Sequence, residues 1–497
     1  MKSVSVRMGV AAVMAASLTG CAVGPDFHSP AAPATNTYTA SKLPSQTASA
    51  PTGGGAAQRF AFAQDVSAQW WTLFRSPALD ALIKQGLAGS PSLSSAQAAL
   101  RAAEENLRAA SGALLYPGVD GNVQATRQRA SGISTGTAGG EFNLYNASVN
   151  VSYHFDLFGG SRRQLEALQA QVDYQRYQFE AAYLSLTANI VTTAVQEASL
   201  GGQIQATRDM LDAQQKLLDV VQRQFQAGAV ARSSVLSQQS QLAATRATLP
   251  PLEKQLSYTR HALAVLVGQL PSEARLPAFQ LDSLQLPTVL PVSLPSALAR
   301  QRPDIRAAEA LLQQASAQVG VATANLYPQI TLSAGYGTEA LTTGALFNSQ
   351  NVVWNIGAGL LQPIFHGGEL TAKRRAAMAV FDQAAAQYRQ TVLNAFQNVA
   401  DALRALDADA QALKAQADVA AAAKATLDLT QAQFTLGAVN YLSLLTAQRD
   451  YQQARINLIK ARAARYSDTA ALFQALGGGW WNRAPAPLDM ASTRKGD

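Results

Sequence analysis

Residues 145–155 read YNASVNVSYHF, and no other stretch constrains the fold as tightly. Tyr145, Ala147, Val149, Val151, Tyr153 and Phe155 alternate with Asn146, Ser148, Asn150, Ser152 and His154. Successive side chains of a strand point to opposite faces, so this segment predicts a strand with one apolar and one polar face. Upstream, Val119, Gly121, Val123 and Ala125 alternate with Asn122, Gln124 and Thr126, and a Gly/Ser/Thr-rich loop from Ala130 to Gly140 joins the two into a hairpin. Downstream the rhythm changes. From Ser161 to Ala227 there is no proline and a single glycine pair, Gly201-Gly202, in a stretch rich in Ala, Gln and Leu. Leu165, Leu168, Val172, Phe179 and Leu186 recur at heptad-like positions, interrupted by Gln175 and Asn189, as in packed helices with one partly wet face. As one helix the stretch spans ~100 Å. The chain then turns at Gly228, and a helix returns over Ser233 to Val267, kinked or broken at Pro250-Pro251.

The chain repeats this plan. Leu115-Tyr116-Pro117 returns as Leu326-Tyr327-Pro328, an offset of 211 residues. Gly159-Gly160 returns as Gly367-Gly368 (208), and Gln224-Phe225 with Gly228-Ala229-Val230 returns as Gln433-Phe434 with Gly437-Ala438-Val439 (209). The period is too long for a solenoid repeat. A second hairpin follows from Ile330, Leu332, Ala334 and Tyr336 alternating with Thr331 and Ser333, and from Trp354, Ile356, Ala358 and Leu360 alternating with Asn355, Gly357 and Gly359. A second long helix covers Glu369 to Leu436, free of proline and glycine, and a second return covers Tyr441 to Leu476. Helices are also predicted for Pro91 to Leu115, with leucine every seven residues, and from Pro303, where Pro303 and Asp304 suit a helix start.

The first twenty residues form an address. Lys2 and Arg7 precede a short apolar run, Met8 to Leu18, and Leu18-Thr19-Gly20 leads into Cys21, the sole cysteine of 497 residues. This is the pattern of a lipoprotein signal cut before Cys21, whose new terminus carries the covalent lipid, and it excludes an intramolecular disulfide. Ala22, in place of an Asp, points to the outer membrane. Past Leu18 no apolar run is long enough for a membrane-spanning helix. The net charge of +7 is scattered without a basic, aromatic-laced stripe, which argues against nucleic-acid binding. His28, His154, His261 and His366 stand apart, and no nucleophile motif, metal constellation or phosphate loop is present, so neither an enzyme nor a cofactor beyond the lipid is expected.

Strands of about ten residues, apolar on one face and small and polar on the other, match a membrane barrel. Four strands cannot close one, and open edges are not viable in lipid, so the barrel must be shared between chains. Two chains give eight strands and three give twelve; spacing does not choose. A soluble coiled-coil spacer or adhesin leaves the alternating hairpins unexplained.

Short signatures carry a family resemblance: Cys21-Ala22-Val23-Gly24-Pro25-Asp26-Phe27, Trp70-Trp71 with Phe74 and Pro77-Ala78-Leu79, Arg302-Pro303-Asp304-Ile305-Arg306, Pro363-Ile364-Phe365, and Ala475-Leu476-Gly477-Gly478-Gly479-Trp480. In this order the chain resembles the TolC-like outer-membrane efflux factors, in the lipoprotein branch related to OprM and NodT. The resemblance implies a mainly α fold with a small β part. It implies a homotrimer whose four strands per chain build one 12-stranded β-barrel and whose long helices build a periplasmic α-helical barrel. It implies the exit duct of a tripartite drug or toxic-compound efflux pump, with a periplasmic adaptor and an inner-membrane RND pump as partners. A type I protein-secretion duct shares the architecture and is the alternative. The layout is then signal peptide 1–20, lipidated extended segment 21–65, first repeat 66–268 (hairpin 119–156, turn near 228), proline-rich equatorial connection 269–302, second repeat 303–481 (hairpin 329–362, turn near 437) and a disordered tail 482–497. Trp70-Trp71 is expected to pack in the equatorial belt.

The family closes the periplasmic tip with rings of inward side chains. Asp219 and Asp428 each precede their turn glycine by nine residues and are the candidate gate, with Arg223 and Arg232 as possible ion-pair partners. Three like charges in a ring raise carboxylate pKa values or bind a cation. The turns themselves, with Gly228, Val230, Gly437 and Val439, are the candidate docking points for the adaptor.

Overall fold

The computed structural model describes residues 22–131 and 139–483. Cys21, the signal and most of the expected tail lie outside these residues, as does the centre of the first hairpin loop. In chain order the regular elements are β1 (Arg59–Phe62), α1 (Pro77–Gly89), α2 (Pro91–Leu115), β2 (Gly118–Ala130), β3 (Gly140–Phe155), α3 (Gly160–Gln226), α4 (Arg232–Ala247) and α5 (Leu249–Leu266). They continue with β4 (Val289–Val292), α6 (Pro295–Gln301), α7 (Pro303–Ala324), β5 (Gln329–Ala340), β6 (Val352–Leu361), α8 (Glu369–Thr435) and α9 (Tyr441–Ala475). The duplicated long helices α3 and α8 are each 67 residues and unbroken. Gly201-Gly202 does not interrupt α3. The first return is divided where expected: α5 opens just before Pro250-Pro251, because proline suits a first turn and not an interior.

The chain divides into two compact units that cut across the repeats. Unit 1 holds the segments 1–30, 98–176 and 307–390. Its centre is a four-stranded antiparallel sheet in the order β2-β3-β5-β6. Register aligns the two alternations. Val151 stands opposite Val119 and Ala334, and Ala334 opposite Ile356; Val149 stands opposite Gly121 and Tyr336, and Tyr336 opposite Trp354. These positions share one face. On the other, Asn150 stands opposite Asp120 and Gly335, and Gly335 opposite Asn355. A Cβ on Gly335 would collide with the amide oxygen of Asn355 and approach that of Asn150 at 3.0 Å, so glycine there makes room for the asparagines.

Unit 2 holds 31–97, 177–306 and 391–497. Trp70, Phe74, Leu79, Ile190, Leu298 and Phe473 anchor its hydrophobic core, with Trp70 stacked on Phe473 at 5.4 Å between centroids. The Trp70-Trp71 pair is therefore packing, and Trp71 Nε1 donates to Asp80 at 3.0 Å. Here β1 and β4 form a two-stranded parallel sheet, pairing Phe60 with Leu290. Order at the C-terminal end extends past the expected boundary. Asn482 belongs to a short 3-10 turn and donates to the Val66 carbonyl at 2.9 Å, and Arg483 pairs with Glu180. Asn482 and Arg483 are thus fixed parts of the fold, because each has a buried or half-buried partner; residues 484–497 lie outside the described residues.

Candidate functional site

Three groups of residues carry the candidate site: a sheet face, the segment that follows Cys21, and the two helix-end turns. The first is the sheet of unit 1. Its apolar face is bare in the single chain: Val123 is 82% exposed and Ile356 79%. Such a face does not survive in water, because large contiguous apolar patches drive association or membrane contact. On the same face, one step past Ala125 and Tyr145, Arg127 pairs with Glu141 at 3.0 Å, which ends the apolar band. The opposite face, with Asn122, Ser148, Asn150, Ser152, Ser333 and Asn355 beside the carboxylates of Asp120 and Glu339, offers hydrogen-bonding groups suited to contact with water. β2 and β6 are the sheet edges and pair with no further strand among the described residues.

The candidate anchor is the segment directly behind Cys21, which itself lies outside the described residues. Val23 N–H donates to the Phe158 carbonyl at 3.0 Å, three residues past the end of β3. Arg163 then clamps the segment, with Nη2 2.6 Å from Asp26 and Nη1 2.8 Å from Glu166. The guanidinium holds the Asp26 carboxyl below its usual range, first by the hydrogen bond and then by its charge. Gly24 adopts φ +96° and crosses Gly320 so closely that a Cβ would lie 2.5 Å from the Gly320 Cα. The signature that follows Cys21 is therefore seated, from Val23 to Asp26, at the end of a sheet strand.

The closure candidates are in unit 2. Gly228 and Gly437 have φ of +75° and +76°, and both turns carry the same bonds. Gly228 N–H donates to Phe225 O and Ala229 N–H to Gln224 O; Gly437 N–H donates to Phe434 O and Ala438 N–H to Gln433 O. This is the Schellman arrangement, in which a left-handed glycine lets the chain satisfy the last helix carbonyls. The turns then diverge. Asn440 caps α9 by accepting from Ser443 N–H at 2.9 Å, whereas Ala231 offers α4 no side-chain cap.

Asp219 and Asp428 are both exposed and each is engaged within its own helix. Asp219 accepts from Gln215 Nε2 at 3.0 Å, and Arg223 Nε donates to the Asp219 backbone carbonyl at 3.2 Å. Asp428 takes Lys424 Nζ on both oxygens at 2.6 Å. Val230 and Val439 are half-exposed on their turns, and at the second turn Leu436 and Leu442 are exposed. What sequence reasoning missed is the tie between the two returns. The Tyr441 hydroxyl donates to Gln238 Oε1, and Gln238 Nε2 donates to the Gln214 carbonyl at 2.9 Å, linking α9, α4 and α3. Burial pushes the Tyr441 hydroxyl up, so it stays a neutral donor. Its one sequence signal is an asymmetry: the position equivalent to Tyr441 in the first copy is Arg232.

The family described as "Outer membrane efflux protein" matches residues 82–269 and 294–478, both repeats of the chain. The chain belongs to this family. It is an efflux channel of the outer membrane. Among relatives, it is similar to the pyoverdine export outer membrane protein OpmQ of Pseudomonas aeruginosa, 33% identical over 83% of this chain and 87% of that one. It is similar to the toluene efflux pump outer membrane protein TtgF of Pseudomonas putida, 29% identical over 96% of this chain and 97% of that one. Among solved structures, the outer-membrane channel OprN superimposes with a TM-score of 0.84 at 29% identity, covering 93% of this chain and all of that one. The expected fold class, mainly helical with a small sheet, holds.

Proposed function

We propose that three copies of this chain assemble into one passive duct, with twelve strands closing a barrel in the outer membrane, and that the duct serves as the exit of a tripartite efflux pump. The observation that carries this is the sheet: four strands with one continuous apolar face and two unpaired edges. Edge strands in lipid must find partners, and a second and third copy provide them. The resemblance to TolC-like channels favours three copies over two. The lipid on Cys21 and the seat built by Arg163 and Gly24 hold each chain at the membrane. Transport itself needs no chemistry from this chain, since a periplasmic adaptor and an inner-membrane RND pump supply energy and selectivity. Native mass spectrometry of the membrane-extracted protein should find trimers, and planar bilayers should show a conducting pore. Dimers would overturn the twelve-strand assembly.

Asp219 and Asp428 are the proposed gate. Lys424 already balances Asp428 inside its own helix, although solvent screens an exposed pair of this kind. Among the described residues Asp219 has no such cation, so its ring carries more of the closure. Asp219→Ala should raise single-channel conductance severalfold, Asp428→Ala less, and the double variant most. Unchanged conductance and unchanged block by multivalent cations in all three would remove the assignment.

The turns at Gly228–Val230 and Gly437–Val439 are the proposed adaptor-docking surface. Arginine placed at Val230 or Val439 puts a solvated charge into a close helix contact while leaving the glycine turn intact. Crosslinking of intact trimers to the adaptor should fall at least tenfold, a loss on the order of 1.4 kcal/mol. Retained crosslinking argues against docking at this point.

A further inference from the structure

Each strand of the unit 1 sheet adjoins one helix: α2 leads into β2, β3 into α3, α7 into β5 and β6 into α8. The edge strands β2 and β6 therefore carry α2 and α8, and the inner strands carry α3 and α7. Burial follows this division. Ala167 and Ala170 of α3 and Ala315, Ser316 and Ala317 of α7 are buried. In contrast, α8 is exposed at Arg374, Arg375 and Met378, and α2 at Arg101, Glu105 and Arg108. Met378 is 46% exposed, although its equivalent in the first repeat, Ala170, is fully buried.

The inner pair sets a register. α3 and α7 run antiparallel: a Cβ on Gly160 would touch the Ala324 side chain at 3.2 Å, and one on Gly320 would lie 2.7 Å from Arg163 Cγ. One turn onward from Arg163 and one turn back from Gly320, Ala167 comes level with Ser316, and these two are 1% and 2% exposed. α8 is the second copy of α3, and α2 is the first copy of α7. The glycine pair that opens α3 recurs 208 residues later at α8, and the Leu-Tyr-Pro at the end of α7 stands 211 residues earlier at the end of α2. The same offsets carry Ala167 to Arg375 and Ser316 to Glu105.

Where the inner pair sets small residues together, the outer helices carry opposite charges. Away from the sheet α2 reads Arg108, Glu105, Arg101, and α8 reads Glu369, Arg375, Asp382. The two series are complementary at every step. Glu104 and Arg374 flank the central pair with matching signs. In the single chain Glu105 meets the exposed Arg108 of its own helix and Glu369 meets Lys373, while Arg374 and Arg375 have no ion pair among the described residues.

We propose that α8 of one chain packs antiparallel against α2 of the next copy in the register that α3 and α7 show. Arg375 then faces Glu105 of that copy, and Arg101 and Arg108 lie within a turn of Asp382 and Glu369. This rests on the shared barrel proposed above, because joining β6 to β2 of another copy brings the helices they carry alongside; it adds which residues meet. The alternating charges hold the register, since a slip of one turn in either direction sets Arg375 beside Arg101 or Arg108.

The test uses the full-length protein in membranes. A chain with both Glu105→Cys and Arg375→Cys should form disulfide-linked dimers and trimers on oxidation. Either single variant, which also controls for Cys21, should not. Arg375→Cys combined with Ala98→Cys, two turns off register, should give at least about tenfold less. Glu105→Arg and Arg375→Glu should each cut the trimer fraction about tenfold at unchanged helix content, and the two together in one chain should restore it to within about twofold. Absence of the Glu105–Arg375 crosslink in a chain that native mass spectrometry finds trimeric would overturn this packing and leave the duct standing. So would charge reversals that leave trimers at native levels, or a double reversal that fails to rescue them. Unsubstituted chains that are not trimeric would overturn both readings.

Discussion

Replacing Arg465 with alanine is expected to destabilise unit 2 by about 3–5 kcal/mol, from several buried acceptors left unpaired, and to free residues 47–58 from α9. Arg465 is fully buried. Its guanidinium donates to the Gly54 carbonyl at 3.0 Å, the Ala56 carbonyl at 2.6 Å, Thr47 Oγ1 at 3.0 Å and Gln58 Oε1 at 3.3 Å. Those acceptors are neutral and most come from a segment with little regular structure of its own. Gln58, also fully buried, passes the network on to Thr469 and the Pro287 carbonyl. One side chain thus substitutes for the sheet or helix that would otherwise order this part of the chain. Removing it leaves several buried acceptors unpaired, and each unsatisfied group costs about 1–3 kcal/mol. Lysine is a partial remedy, because a single ammonium cannot reproduce a planar fork of donors. Hydrogen exchange over residues 47–58 should therefore rank alanine above lysine above the native protein, with protease cutting in the same window for alanine. Native protection in Arg465→Ala would show that the segment is held by its other contacts.

The parts of the fold that were legible in the sequence are those whose information is local. Period-two alternation at Tyr145–Phe155 set strand, face and polarity, because a strand's side-chain direction depends only on parity. The 67-residue helices followed from the lack of proline, and the turns from glycine. Partners distant in the chain left no such trace. β1 and β4 are four residues each and lie more than two hundred apart, so neither has enough alternation to be read. Arg465 looks like any helix arginine until Thr47 and Gln58 are brought to it. The candidate gate was chosen by symmetry, from equal distances to equivalent glycines. Symmetry found Asp219 and Asp428 but was blind to Lys424, which singles out one of them, and to Tyr441, which ties the two returns together. Duplication predicts what the copies share; their differences arise from contacts each copy makes alone.

The second large effect is a pH dependence held between α8 and α9. Asp409 faces Asp468, with Arg465 as the nearby cation. Burial, the shared hydrogen bond with Asp468 and its charge push the Asp409 carboxyl up to about 7, against a smaller pull from Arg465. Asp409 Oδ2 is buried without a donor, and a proton held between the two carboxyls supplies one. The unfolded chain releases that proton near pH 4, the folded chain only near 7. Stability from this group is therefore complete below about pH 4, falls as pH rises from there to 7, and stays low above it. In a dry site the difference would be about 4 kcal/mol. Asp409 is half-buried, and screening by solvent reduces it to about 2 kcal/mol. Asp409→Asn keeps the hydrogen bond and removes the titration, so it should be the more stable protein at pH 8 and equal to the native one near pH 4. In hydrogen exchange of the facing segments around 409 and 468, the gain at pH 8 is about thirtyfold slower exchange. A thirtyfold gain that persisted at pH 4 would mean that Asn improves packing and that no proton is shared. No gain at pH 8 would mean that both carboxylates are ionised and solvated. Because the same helices pass the Arg465 network, the variant also separates the two effects: Asp409→Asn should leave exchange over residues 47–58 unchanged at either pH, whereas loss of Arg465 should open that segment at both.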